Sequence, residues 1–358
     1  MGEILGLGVT HYPPLSGVDD NLTAVFRGAL ADPLLPAELK DPANWPERAR
    51  AEWSDDEGRA AGRSHREQLR KGFRRTREAL DAFQPDVVLI WGDDQYENFR
   101  EDVVPPYGVL AYDDMVVHPW KHAHDSSNMK GKPNVWGEGP DTERLVRGHR
   151  PFAKQLVENL LDDGFDTTYA YQPLHHPSFA HAFLNTVLYL DYERTGFEYP
   201  VVAFPINCYG RKVISYKGDI TPLGVERELD PPSPSPARIM ALGAAVARAC
   251  LASPYRVALV GSSSWSHSFL VDSTFRLFPD SAADERMYDA LTQGDYKVWR
   301  ETSLADAEKS GQQELLNWWA LLGAMDELGR TPTWSDFAPS NIFVSNKVFA
   351  VYEPGAGK

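Results

Sequence analysis

Cysteine is scarce. Cys208 and Cys250 are the two in 358 residues, which excludes a disulfide framework and any cysteine-built metal centre. Cys250 falls in an alanine-rich stretch and reads as a small core residue. Basic charge is also short: 36 Lys and Arg against 51 Asp and Glu leave a net charge of −15. That balance argues against nucleic acid or an anionic membrane as the main partner, because like charges repel. The one basic cluster, Arg70 to Arg77, alternates with apolar positions and reads as a solvated helix face. No apolar run approaches the length of a membrane span, and residues 1 to 10 carry no basic segment followed by such a run. A cytoplasmic, soluble protein is expected. The glycine fingerprints of nucleotide-binding loops are missing too: "GLGVTHYP" lacks the third glycine and would place proline in the phosphate-binding helix.

Apolar material is ample, 42% of the chain, and it comes in alternating blocks. Strands are predicted over Glu3–Val9, Asp86–Trp91, Thr167–Tyr171, Pro200–Ile206 and Tyr255–Val260. Between them the 3.6-residue spacing predicts helices over Ser64–Phe83, Pro151–Asp163, Phe179–Asp191 and Pro236–Ala252, the last with Ser235 as its N-cap. Strands that are apolar throughout belong to a sheet covered on both faces. The expectation is a three-layer α/β/α sandwich with a mostly parallel central sheet, one large domain over residues 1–358. The C-terminal third reads as mainly helical with a late extended piece at Asn341–Tyr352. Two stretches poor in periodicity, 31–63 and 112–148, read as surface excursions suited to a lid or a subunit contact. Trp45 and Trp53 in the first are expected to be exposed at such a contact, in a homo-oligomer.

In open α/β sheets, ligands bind beyond the carboxyl ends of the strands. Those ends hold His11 in "THYPPL", Asp93, Asp94 and Gln95 in "WGDDQYENF", and His175, His176 and His181 in "QPLHHPSFAH". They also hold Asn207, Tyr209 and Arg211 in "PINCYGR", and Trp265 and His267 in "GSSSWSHSF". Five of the ten histidines thus lie where a site belongs, and clustered imidazoles are costly to bury without use. Each alone would more readily be structural; together they point to a catalytic rim. His118, His122 and His124 form a second short cluster, most simply a solvated loop. "GSSSWSH" lacks the Gly-x-Ser-x-Gly pattern of a nucleophile elbow.

The ordered set "THYPPL", "WGDDQYENF", "GHRPFAKQL", "GFDTTYAYQPLHH", "PVVAFPINCYGR", "VALVGSSSWSH" and "GQQELLNWWALLGAM" resembles the class III extradiol ring-cleavage dioxygenases, the superfamily of the protocatechuate 4,5-dioxygenase beta subunit. The resemblance covers most of the chain. It implies Fe(II) held by two histidines and a glutamate, with a small phenolic or catecholic compound and dioxygen as substrates. His11 matches the first metal histidine and His267 the acid–base histidine. His176, or His175 beside it, matches a second catalytic histidine. Gln95 occupies the place of the second metal histidine, a weaker ligand through its neutral amide oxygen. Ungapped alignment puts Ala282 at the glutamate position, and Glu285 is the carboxylate chosen nearby. Asp93, Asp94, Asp280 and Asp284 are the other carboxylates that would replace a lost ligand. Trp265, Asn207 and Arg211 are candidates for holding the ring and a substrate carboxylate. Two further readings stay open: an enzyme of this fold that uses histidine acid–base chemistry without metal, and a non-catalytic partner subunit.

Overall fold

A computed structural model describes residues 2–123, 132–212, 214–217 and 223–355, with the backbone alone for His122 and Ala123. Ten strands are present among these residues: β1 (Glu3–Val9), β2 (Val87–Asp93), β3 (Gly108–Leu110), β4 (Met115–Val117), β5 (Arg144–Val146), β6 (Thr168–Ala170), β7 (Val201–Ile206), β8 (Arg256–Ser262), β9 (Trp334–Ala338) and β10 (Lys347–Tyr352). Eight of them form one sheet in the order β6-β3-β7-β2-β8-β1-β10-β9, and β4 and β5 make a separate hairpin. The central four, β7, β2, β8 and β1, are parallel. β10 and β9 are added antiparallel beyond β1.

Alternation along the central strands builds two cores. Val87, Leu89 and Trp91 of β2 enter one apolar cluster, while Val88 and Ile90 enter the other. The six longest helices among the described residues supply most of the outer layers: α1 (Arg59–Phe83), α2 (Arg150–Asp162), α3 (His181–Leu190), α4 (Pro236–Ala252), α5 (Ser281–Gln293) and α6 (Leu316–Glu327). Side chains of α2, α4, α5 and α6 pack with Val87 and Trp91, those of α1 and α3 with Val88 and Ile90. This is the three-layer sandwich expected, with a sheet buried on both faces. Ser235 caps α4 as its sequence suggested, accepting from the Arg238 amide at 3.3 Å. α1 begins five residues before the predicted Ser64, preceded by Gly58 at φ 84°.

Close approach of α6 to β1 depends on one absent side chain. A Cβ added at Gly8 would lie 2.1 Å from the Trp318 ring, so only glycine lets the helix lie down there. α6 and the short turn before it are thereby brought to the end of β1.

The first excursion differs from expectation. Trp45 is buried, its ring edge-on to Phe26 at 5.2 Å and near Phe278, and its Nε1 donates to the Leu39 carbonyl. Trp53 is half-buried against the same cluster. The two tryptophans extend the apolar cluster of Val88 and Ile90; they do not form an exposed patch. Among the described residues, no helix is long and apolar enough to cross a membrane.

Candidate active site

Parallel strands end on the same edge, so the residues after β1, β2 and β8 arrive together. His11 follows β1, Asp93 closes β2, and His267 lies five residues beyond β8. Glu314 enters from the turn that precedes α6, and His181 begins α3.

His11 is the centre of the group. Its Nδ1 lies 3.1 Å from the Ser262 carbonyl oxygen, an acceptor that requires the proton on Nδ1. Nε2 is then a bare lone pair. It faces Asp93 Oδ1 at 3.4 Å and Glu314 Oε2 at 3.6 Å. Burial holds the imidazole neutral, pushing its pKa down to about 4 against the pull of Asp93. His267 presents Nε2 to the same Glu314 oxygen at 3.4 Å, and burial with His11 nearby pushes it down to about 3. Glu314 Oε2 is buried and has no hydrogen-bond donor. Burial, with Asp93 beside it, drives the Glu314 carboxyl well above the usual range.

His181 completes the arrangement. Burial disfavours its charge, but Glu97 outweighs that, accepting from His181 Nδ1 at 2.7 Å and from its backbone N–H at 2.9 Å, and raises it to about 10. Its ring stands edge-on to His11, centroids 5.2 Å apart. Ligand atoms of His11, Asp93 and His181 all lie within 4.8 Å of one another. Both His11 and His181 have Nδ1 engaged by an outer acceptor, the arrangement that turns Nε2 toward a metal. His267 differs, its Nδ1 being buried without a partner.

The donor set suits a divalent cation. With Glu314 ionised, as a metal would hold it, its Oε2 and the neighbouring imidazole nitrogens converge as acceptors with no donor on that oxygen, and a positive charge is what reconciles them. Separations of 3.4 to 3.6 Å are too long for hydrogen bonds. They are near the roughly 3 to 3.5 Å expected between ligands each about 2.1 Å from a shared ion.

Gln95 is here, in another role than the one expected. Its amide nitrogen lies 2.9 Å from Asp93 Oδ2, 3.1 Å from Glu314 Oε1 and 3.1 Å from the Tyr209 hydroxyl. Two carboxylates on one side demand the N–H₂ end. Gln95 therefore clamps Asp93 to Glu314 and does not offer its oxygen as a ligand. Tyr209 adds a short hydrogen bond to Glu314 Oε1.

Other expected residues are placed elsewhere. Glu285 is exposed on α5, and Glu314 is the glutamate that reaches His11. Trp265 is wholly buried against Trp299 and Trp318, as a core side chain. His175 is exposed and pairs with Asp102 at 2.8 Å, outside the cluster. His176 is half-buried within the field of Glu97. Asn207 accepts from the Gly210 amide, and half-exposed Arg211 faces Glu308 at 3.7 Å on the same strand edge. Asp94 caps the amides of Glu97, Asn98 and Phe99, and Asp280 caps Ala283. Asp284 accepts from the Ser266 amide, Gln312 and Asn346. Of the substitute carboxylates, Asp93 alone meets His11. His118 faces Glu143 at 3.8 Å; the His122 side chain and all of His124 lie outside the described residues.

Glu97 was not among the expected site residues, and Glu314 was expected, with Asn317, only to tie a core helix to the site. A charged residue inside the apolar helical register of "QQELLNWW" was the available signal for Glu314.

Residues 229–350 match the family model of the catalytic LigB subunit of aromatic ring-opening dioxygenase. The resemblance to that superfamily is thus borne out over a stretch that holds His267 and Glu314. No curated protein matches the chain. Among solved structures, an uncharacterized protein from Escherichia coli is similar at 14% identity and a TM-score of 0.43, covering 77% of this chain and 91% of that one.

Proposed function

With a LigB-type segment carrying two of the converging side chains, we propose that the protein is an extradiol-type dioxygenase that opens the ring of a small catecholic compound at a non-haem metal. His11, Asp93 and Glu314 hold the ion, with His181 as a fourth donor. The observation that carries this reading is the buried, donorless Oε2 of Glu314 aimed between two neutral imidazoles. A bound Fe(II) would supply the redox route by which electron density from a catecholate reaches dioxygen.

The chain's own groups divide the remaining work. The Ser262 carbonyl fixes the His11 tautomer, and Glu97 does the same for His181. Gln95 and Tyr209 keep the two carboxylates at a set spacing. His267 is neutral and has one ring nitrogen unengaged, so it can take a proton from a substrate hydroxyl and return it later. Half-buried Phe269, its ring 5.1 Å from that of His267, offers an apolar wall to an aromatic substrate. Asn207 and Arg211 lie at the rim after β7, where a polar substituent would reach them.

Metal analysis of protein purified without oxygen, together with oxygen uptake on catechol, tests the reading. Stoichiometric iron, activity lost on chelation and regained with Fe(II) are expected. Turnover that survives strong chelation would overturn it in favour of metal-free acid–base chemistry.

A further inference from the structure

Val344 is a β-branched residue at φ 70°, in a region that such side chains avoid. The Ser345 amide donates to the Phe343 carbonyl at 2.8 Å across it, closing a γ-turn of the strained, positive-φ kind. Strain of this sort persists only where neighbouring structure overdetermines it, and it gathers at functional sites. Two observations connect this turn to the site. Ser268 donates its amide to the Val344 carbonyl at 2.6 Å, and His267 pairs with Ser345 in an isolated antiparallel bridge. The backbone that carries His267 is therefore seated on the turn.

Lys347 holds the turn from beneath. It is wholly buried, and its Nζ donates to the carbonyls on either side of Val344, Phe343 at 2.6 Å and Ser345 at 2.7 Å. The same nitrogen stands 3.7 Å from the centre of the Tyr12 ring, next to His11. Burial lowers the lysine pKa well below its ordinary value, with Glu52 pulling the other way. Burying an amine is costly, and among the described residues no carboxylate forms an ion pair with it within 4 Å. Surface packing does not account for such a residue.

We infer that Lys347 is a positioning residue: by pinning the strained turn at Val344 and backing Tyr12, it sets His267 against Glu314 and couples the two strand ends that bear the site histidines. Its catalytic consequence rests on the function proposed above, but the clamp itself does not. Without the two Nζ hydrogen bonds, Val344 would relax toward negative φ, withdrawing the acceptor from Ser268 and loosening the His267 segment.

The experiment compares full-length wild type, Lys347→Met, Val344→Gly and the double variant, all metal-free. Amide exchange of Ser268 and the imidazole ¹⁵N shifts of His267 are read, with Val260 in β8 as the internal reference. Lys347→Met is expected to speed Ser268 exchange by about tenfold or more, as local opening becomes easier, and to move the His267 shifts. Adding Val344→Gly should restore both, because glycine adopts the turn without strain. A lysine that merely fills space predicts no such rescue. Unchanged Ser268 exchange in Lys347→Met, or no recovery in the double variant, overturns the inference. Should Lys347→Met fail to fold, Lys347→Gln, which retains one amide donor, is expected to show the smaller effect, and wild-type exchange there counts against the clamp. In metal-loaded protein, kcat on catechol should fall with KM unchanged. Absence of oxygen uptake even in wild type would refute the proposed function while leaving the exchange result to decide the clamp.

Discussion

Glu314 Oε2 and His267 Nε2 stand 3.4 Å apart, with no donor on the oxygen. The two residues face one another and are assigned opposite duties, so their loss should look different. Glu314→Gln replaces a charged donor by a neutral one and is expected to strip the metal, lowering occupancy and turnover together by roughly 100-fold or more. His267→Gln is expected to keep stoichiometric metal and lose about 10² to 10⁴ in kcat, the range for a general acid–base. Metal content measured beside kcat separates them; His267→Gln protein without metal would make His267 a ligand.

Gln95 separates two carboxylates that would otherwise repel. Gln95→Glu puts a third acid against Asp93 and Glu314, and it is expected to lower both metal-free stability and turnover. Gln95→Ala, which removes the clamp without adding charge, should be milder in stability. Thermal melts of the two variants decide this. Equal or greater stability in Gln95→Glu would mean the pocket carries less negative charge than its geometry indicates.

Asp284 is fully buried, and burial raises its carboxyl to about 7, despite donors from Gln312, Asn346 and the Ser266 amide. An unfolded Asp titrates near about 3.9. Between these values the folded chain binds more protons, so this group makes stability fall as pH rises from about 4 to about 7 and adds no slope above. Asp284→Asn should remove that slope from melting curves of the metal-free protein. A variant that keeps the wild-type slope would assign it to other groups.

Gly8→Ala drives a methyl into the Trp318 ring. The expected cost is about 1 to 3 kcal/mol or more by overpacking, read from denaturant titration. Because α6 moves with Trp318, Glu314 shifts too, and the variant should lose metal affinity beyond what its stability explains. Unaltered affinity would show that the turn bearing Glu314 is positioned independently of α6.

Much of this was legible in the residues because the central strands are uniformly apolar, and uniform apolarity at short length means a sheet covered twice. His11 and His267 were recoverable from position alone, since each follows a strand on the same edge. Glu314 was concealed by its surroundings: Leu315, Leu316, Trp318 and Trp319 make its segment read as pure core. Glu285 was attractive for its place in an alignment, yet it lies on the water-facing side of α5. Trp265 and Trp45 misled for a common reason. A large aromatic beside polar residues reads as a binding surface, whereas here each is enclosed by other aromatics from distant segments. β3 and β6 are three residues each, and β9 is only partly buried; such strands carry little pattern, and pairing with neighbours defines them.

The groups around His11 come from positions 11, 93, 181, 267 and 314, spread over nearly the whole chain. Nothing resembling the finished pocket can exist on a ribosome-bound chain that stops short of Glu314. Capture of the proposed iron would then follow synthesis of most of the polypeptide, and closing such long loops is slow. A nascent or truncated product would accordingly be metal-blind, and its unpaired strands, more than any stray redox chemistry, would be the burden it places on the cell.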